Sequence, residues 1–163
     1  MEILKIPHPA LFKKCDEVTV FGPELEILLQ SMWETMQSNN GVGLAANQVG
    51  LTFRMFTMEG PDGQKLFVVN PKISKRSVGS AGLKEGCLSA PGEFVELVER
   101  SLWVQVEFCN EKGDKKIQTF TGIHSVCVQH EMDHLDGKLH LQSKSIPKKK
   151  RLELAKKWGF KLK

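Results

Sequence analysis

The segment Gln129-His130-Glu131-Met132-Asp133-His134 carries the densest chemistry in the chain. A helix turns once in 3.6 residues, so two histidines four apart project from one face. Both imidazoles can then reach a single divalent ion, with Glu131 beside them to carry a proton. Metal-assisted hydrolysis is the chemistry this spacing suits.

A catalytic ion of this kind usually takes three protein ligands and leaves one position open. Three residues compete for the third place. His140 completes the string His-Glu-x-x-His-x-x-Gly-x-x-His over residues 130–140, the metzincin protease pattern. Those proteases need a methionine turn further on, and no Met follows His140. The match is therefore read as chance, and His140 as a surface or strand residue. Glu153 would suit a gluzincin-like site if the tail folded over the histidines. Cys87, within Leu83-Lys84-Glu85-Gly86-Cys87-Leu88-Ser89, offers a thiolate. Thiolates bind iron and zinc strongly, and coordination itself deprotonates the thiol. A further block, Gly41-Val42-Gly43-Leu44-Ala45-Ala46-Asn47-Gln48, allows close backbone approach through its glycines and ends on an amide that both donates and accepts.

The elements that must position these groups can be read from periodicity. Gly22-Pro23-Glu24 starts a helix, along which Leu25, Leu28, Leu29, Met32 and Met36 form a core-facing stripe, and Asn39-Asn40-Gly41 ends it. Residues 51–58 and 65–70 are predicted strands, joined by a turn at Pro61-Asp62-Gly63. Leu102, Val104, Val106 and Phe108 alternate as in a half-buried strand, which Ile117 to Phe120 answers antiparallel after a turn at residues 111–114. The motif helix is predicted from Ile123 to Asp136, with Gly137 as its stop, and a last helix from Pro147 to Trp158, stopped by Gly159. Strand follows strand without intervening helices, so the fold class is α+β.

The 163 residues suit one domain with an ordinary core. No apolar run approaches the ~20 residues a membrane helix needs. No basic stretch followed by a long apolar one opens the chain, so a cytoplasmic home is expected. Cys15 and Cys109 are expected to be buried and reduced, and no disulfide framework is expected. Charge is uneven: residues 1–143 hold 14 Lys/Arg against 18 Asp/Glu, whereas residues 144–163 hold 9 against one. The basic tail is either a solvated helix or a handle for a polyanion.

The three blocks Gly41–Gln48, Glu85–Ser89 and Gln129–His134, in that order, resemble the peptide deformylase family, and Ile6-Pro7-His8-Pro9 with Leu11 resembles its opening segment. The likeness spans residues 1–143, a catalytic domain, with 144–163 as a basic helical tail of the same domain. It implies antiparallel sheets packed around a central metal-binding helix, with an N-terminal and a C-terminal helix. It implies hydrolysis of the N-formyl group of formyl-methionine on new polypeptides, releasing formate. It implies Cys87, His130 and His134 as ligands of Fe²⁺, replaceable by Zn²⁺ or Ni²⁺. Glu131 would move the proton, while Gln48 and the Leu88 N–H would donate to the carbonyl oxygen. The peptide would lie as an added strand along Val42-Gly43. Its methionine would sit among Val42, Leu83, Ile123, Val126 and Cys127, with Glu85 and Gly86 in the same substrate wall.

One departure stands out. Many bacterial members carry Arg seven residues after the metal cysteine, where this chain has Phe94. Arg100 is expected to pair with Glu85 and brace the Cys87 loop. The resemblance also suggests that the tail docks on the ribosome. Two rivals remain: a general metallopeptidase using His130, His134 and His140, and an RNA-binding protein with a structural metal. Glu131 and Gln48, which a structural site does not need, speak against the second.

Overall fold

The computed structural model describes residues 1–162, the side chain of Leu97 excepted. Helix α1 (Pro23–Ser38) begins with a proline and two glutamates in its first turn, where they suit the positive end of the helix dipole. Strands β1 (Gly43–Ala45), β2 (Met55–Glu59), β3 (Lys65–Arg76), β6 (Trp103–Cys109) and β7 (Lys115–Thr121) form one antiparallel sheet in the order β1-β2-β3-β6-β7. Strands β4 (Ser80–Cys87) and β5 (Ala90–Ser101) form a separate antiparallel ribbon. Helix α2 (Gly122–Leu135) follows β7 directly, and helix α3 (Lys148–Trp158) closes the chain.

Period-two alternation sorts the sheet's side chains between two cores. Phe56, Met58 and Val68 pack with Val104, Val106, Phe120 and the α2 residues Val128 and Leu135. Their neighbours Met55 and Val69 pack the other way, with Leu25, Leu29, Met32 and Met36 of α1. The motif helix thus lies against one face of the sheet and α1 against the other. A third cluster joins the N-terminal segment, β5 and the tail: Ile6, Leu11, Val95, Leu141, Leu154 and Phe160 are all buried in it.

All three predicted helix stops stand: α1 ends at Ser38 with Asn39 as its cap, and Gly137 (φ 67°) and Gly159 (φ 69°) take a conformation that glycine adopts most readily. The periodicity did not predict β1, β4 or β5. The ribbon contains Gly82, Gly86 and Gly92 and presents Leu83 and Phe94 to solvent, so no clean alternation marks it. Leu102, expected inside, is 50 % exposed because β6 starts one residue later. Cys15 is buried as expected, Cys109 only partly, and all four cysteines are free. Among the described residues, no helix is long and apolar enough to cross a membrane.

Candidate active site

Three elements distant in sequence converge on one point. Cys87 ends β4 at a two-residue turn, Leu88-Ser89, and pairs with Ala90 as β5 begins. Helix α2 supplies His130 and His134, their rings 4.9 Å apart and nearly edge-on. Cys87 Sγ lies 3.2 Å from His134 Nε2. One donor atom from each of the three residues falls within 4.8 Å of the others. Thiolate and imidazole donors around a tetrahedral ion sit ~3.5 Å apart, given metal–sulfur and metal–nitrogen bonds of ~2.3 and ~2.0 Å. The trio therefore fits a divalent metal in both chemistry and spacing.

A buried network holds the trio in place. Arg100 donates to Glu85 from Nε (2.8 Å) and Nη2 (3.0 Å), and to Asp133 from Nη1 (2.6 Å). The Glu85–Arg100 brace expected from the sequence is thus present. Glu85 Oε2 also meets His130 Nδ1 at 2.9 Å. With its proton on Nδ1, His130 keeps the Nε2 lone pair free for a cation, and the carboxylate raises that nitrogen's basicity. Burial disfavours ionised Glu85, but the hydrogen bonds from His130 and Arg100 override it and hold the carboxyl at about 2. Arg100→Ala leaves this carboxylate buried with its main partner gone. The expected result is a loss of ~3–5 kcal/mol in denaturant unfolding and of ~10–100-fold in metal affinity by competitive chelation.

Gln129 clamps α2 to the end of β5: its Oε1 accepts from Ser101 N–H and its Nε2 donates to the Ser101 carbonyl, each at 3.0 Å. Asn47 Nδ2 donates to the His134 carbonyl at 2.5 Å. Gln48 is oriented without ambiguity. Its Oε1 accepts from Ala45 N–H (2.8 Å), so its Nε2 must face Ser89 Oγ (3.2 Å) and Cys87 Sγ (3.5 Å). A fixed amide donor beside the metal trio is what an oxyanion-stabilising group requires.

These groups open into a cleft of about 490 Å³ between β1 and the β4–β5 ribbon. Val42 and Gly43 line one side, Gly86 to Leu88 the other, and Ile123, Val126 and Cys127 complete the wall beside His130 and Glu131. Among the described residues β1 pairs with β2 alone, and its Ala45 N–H is taken by Gln48 Oε1. Burial pushes the Glu131 carboxyl from 4.5 up to about 7; the His130 charge opposes this and the Glu85 charge adds to it. Glu131 Oε2 is buried without a hydrogen-bond partner among the described residues, as expected of a group aimed at something outside the protein.

Gly43 is required by this packing. A Cβ there would stand 2.5 Å from Glu131 Oε1 and 2.8 Å from Cys127 Sγ. Gly43→Ala should displace the carboxylate. The expected outcome is a ~100-fold or larger fall in kcat/KM, the low end of what a misplaced acid–base group costs, with thermal unfolding shifted by only a few degrees.

A family model described as Polypeptide deformylase matches residues 1–150. The chain belongs to the peptide deformylase family. It is 41% identical over 144 residues to the peptide deformylase of Phenylobacterium zucineum, covering 86% of this chain and 85% of that protein. The crystal structure of peptide deformylase from Thermus thermophilus is similar with a TM-score of 0.87 and 36% identity, covering 95% of this chain and 90% of that one. The deformylase of Synechococcus elongatus, solved in complex with actinonin, gives a TM-score of 0.88 at 30% identity over 99% of this chain and 87% of that one. This deformylase family is metal-dependent, and the Cys87, His130, His134 group is where this member could hold its ion.

Several sequence expectations change. His140 is neither a surface nor a strand residue but 2 % exposed. The left-handed turn at Gly137 leads into a short 3-10 segment, His140–Gln142, that carries the ring inward to 5.1 Å from His130. It lies outside the donor group, and burial holds it neutral, its pKa lowered to about 3. Glu153 sits exposed on α3. Leu83 lies on the ribbon, 43 % exposed and outside the cleft lining, since its place in β4 precedes the cleft. Glu85 borders the cleft, and its carboxylate is bonded to Arg100 and His130. Ile123 and Val42, 65 % and 56 % exposed, line the cleft. Sequence reasoning missed Ser89 and Asn47. The small polar residue after Leu88, and the amide before Gln48, were their only signals.

Proposed function

We propose that this family member removes the N-formyl group from the formyl-methionine of newly made polypeptides, releasing formate and a free amine. The observation that carries the reading is the convergence of the Cys87–His130–His134 trio, Glu131 and the Gln48 amide on one cleft beside the edge strand β1. Cys87, His130 and His134 would hold the ion. A mixed sulfur and nitrogen donor set suits Fe²⁺, with Zn²⁺ or Ni²⁺ able to replace it. When bound, such an ion makes water a usable nucleophile near neutral pH.

The chain's own groups do the rest. The peptide backbone pairs with the edge at Val42-Gly43 and brings the formyl group to the metal trio. The methionine side chain lies against Ile123, Val126 and Cys127. Glu131 takes a proton from water and delivers it to the leaving nitrogen. The Gln48 amide and the Leu88 N–H donate to the formyl oxygen as charge builds there. Formate release from formyl-Met-Ala by the metal-loaded protein tests the reading; no release would overturn it.

The tail supports a second contact, with ribosomal RNA. Lys148, Lys149 and Lys150 open α3, whose first turn holds no acidic residue and no side-chain cap. Cations there oppose the helix dipole, so a phosphate-rich surface would relieve them. Leu154, Ala155 and Phe160 are buried in the third core cluster, so deleting the tail would damage the fold as well as the charge. The informative variant replaces Lys148, Lys149 and Lys150 by Gln. Its ribosome co-sedimentation should weaken, with a flatter salt dependence; equal binding by both proteins would end the proposal.

A further inference from the structure

We propose that Lys84 and Phe94, with Lys5 on the same cleft, select nascent peptides bearing a carboxylate side chain within the two residues after formyl-methionine. The inference rests on the deformylase reading above and specifies which substrates that cleft prefers.

Phe94 stands opposite Gly86 across the β4–β5 ribbon, and Lys84, two residues before Gly86, faces the same side. Gly86 has no side chain, and the Phe94 ring occupies that space: a Cβ on Gly86 would come within 2.7 Å of Phe94 Cε1. The Lys84 ammonium lies 5.2 Å from the centre of the same ring. Phe94 is nonetheless 60 % exposed and lines the cleft together with Lys84. The result is a platform of one aromatic face and one cation on the wall along which the peptide would run.

The charge of this wall follows from pairing. Glu85 is taken by Arg100, and Glu93 by Lys157 and Trp158 of α3. Among the described residues neither Lys84 nor Lys5 has an acidic partner. Lys5 lines the same cleft and donates to the Leu88 carbonyl at 2.7 Å. The wall therefore offers two uncompensated cations to a passing chain. A peptide carboxylate supplies the missing partner, whereas a peptide lysine or arginine is repelled.

The test compares kcat/KM for formyl-Met-Glu-Ala, formyl-Met-Ala-Glu and the two Lys counterparts with the metal-loaded enzyme. At low salt one Glu peptide or both should exceed the matching Lys peptide by about three- to fivefold, the size expected of an exposed ion pair. The ratio should shrink toward one near ~0.5 M salt. Lys84→Glu should invert the preference, and Lys84→Gln should weaken it. Equal kcat/KM for all four peptides, or a preference unmoved by Lys84→Glu, overturns the inference while leaving deformylation intact. Formate release from none of them overturns the deformylase reading and the inference with it.

Discussion

Cys87→Ala should lose its bound metal, and formate release from formyl-Met-Ala should fall by about three orders of magnitude or more. The size follows from the several kcal/mol that a divalent ion supplies to such a reaction, at tenfold per ~1.4 kcal/mol. The thiol sits 3.2 Å from His134 Nε2, and no other donor in the described structure joins the two histidines within the same reach. His140→Phe is the matched control. It fills the buried space beside His130 without a ligating atom, and metal content by elemental analysis should stay at one ion per chain. The metallopeptidase alternative requires the opposite pair of results. Retention of the ion by Cys87→Ala with its loss from His140→Phe would make His140, not Cys87, the third ligand.

Glu131→Gln is the second large effect. Metal content should be unchanged, because Glu131 stands outside the donor trio, while kcat falls by ~10²–10⁴-fold. The pH profile carries a further signature. Glu131 must be ionised to accept a proton, so activity should rise with pH through its pKa. Burial pushes that value to about 7 in the protein alone, and a cation bound nearby pulls it back down. The acid limb of kcat/KM should thus fall between 4.5 and about 7, and disappear in Glu131→Gln. A variant with full activity, or one that lost its ion, would show that the carboxylate has another task.

The helices and the two histidines were legible because helical spacing is a local property. Leu25, Leu29, Met32 and Met36 announce α1, and residues 130 and 134 announce their shared face. Cys87 was legible only through resemblance, since a lone cysteine carries no periodic signal and its value depends on a contact 47 residues away. The ribbon escaped notice for a related reason. Its strands are held by pairing with each other and by Arg100, and glycines interrupt their pattern. His140 was misread because a chain leaving a glycine stop points toward solvent only by default. Here the turn at Gly137 sends it back beneath the metal trio, where Leu139 and Leu141 are buried with it. The Glu85–Arg100 pair was anticipated, but the extension to His130 and Asp133 needed coordinates, because it joins residues across 33 and 45 positions.

Strand β1 is three residues long, ends the sheet order and has all three of its residues buried. An enzyme that meets unfolded chains as they emerge runs a particular hazard, because open strand edges recruit such chains into aggregates. Three residues are too few to template a second growing sheet. A strand this brief keeps that hazard small.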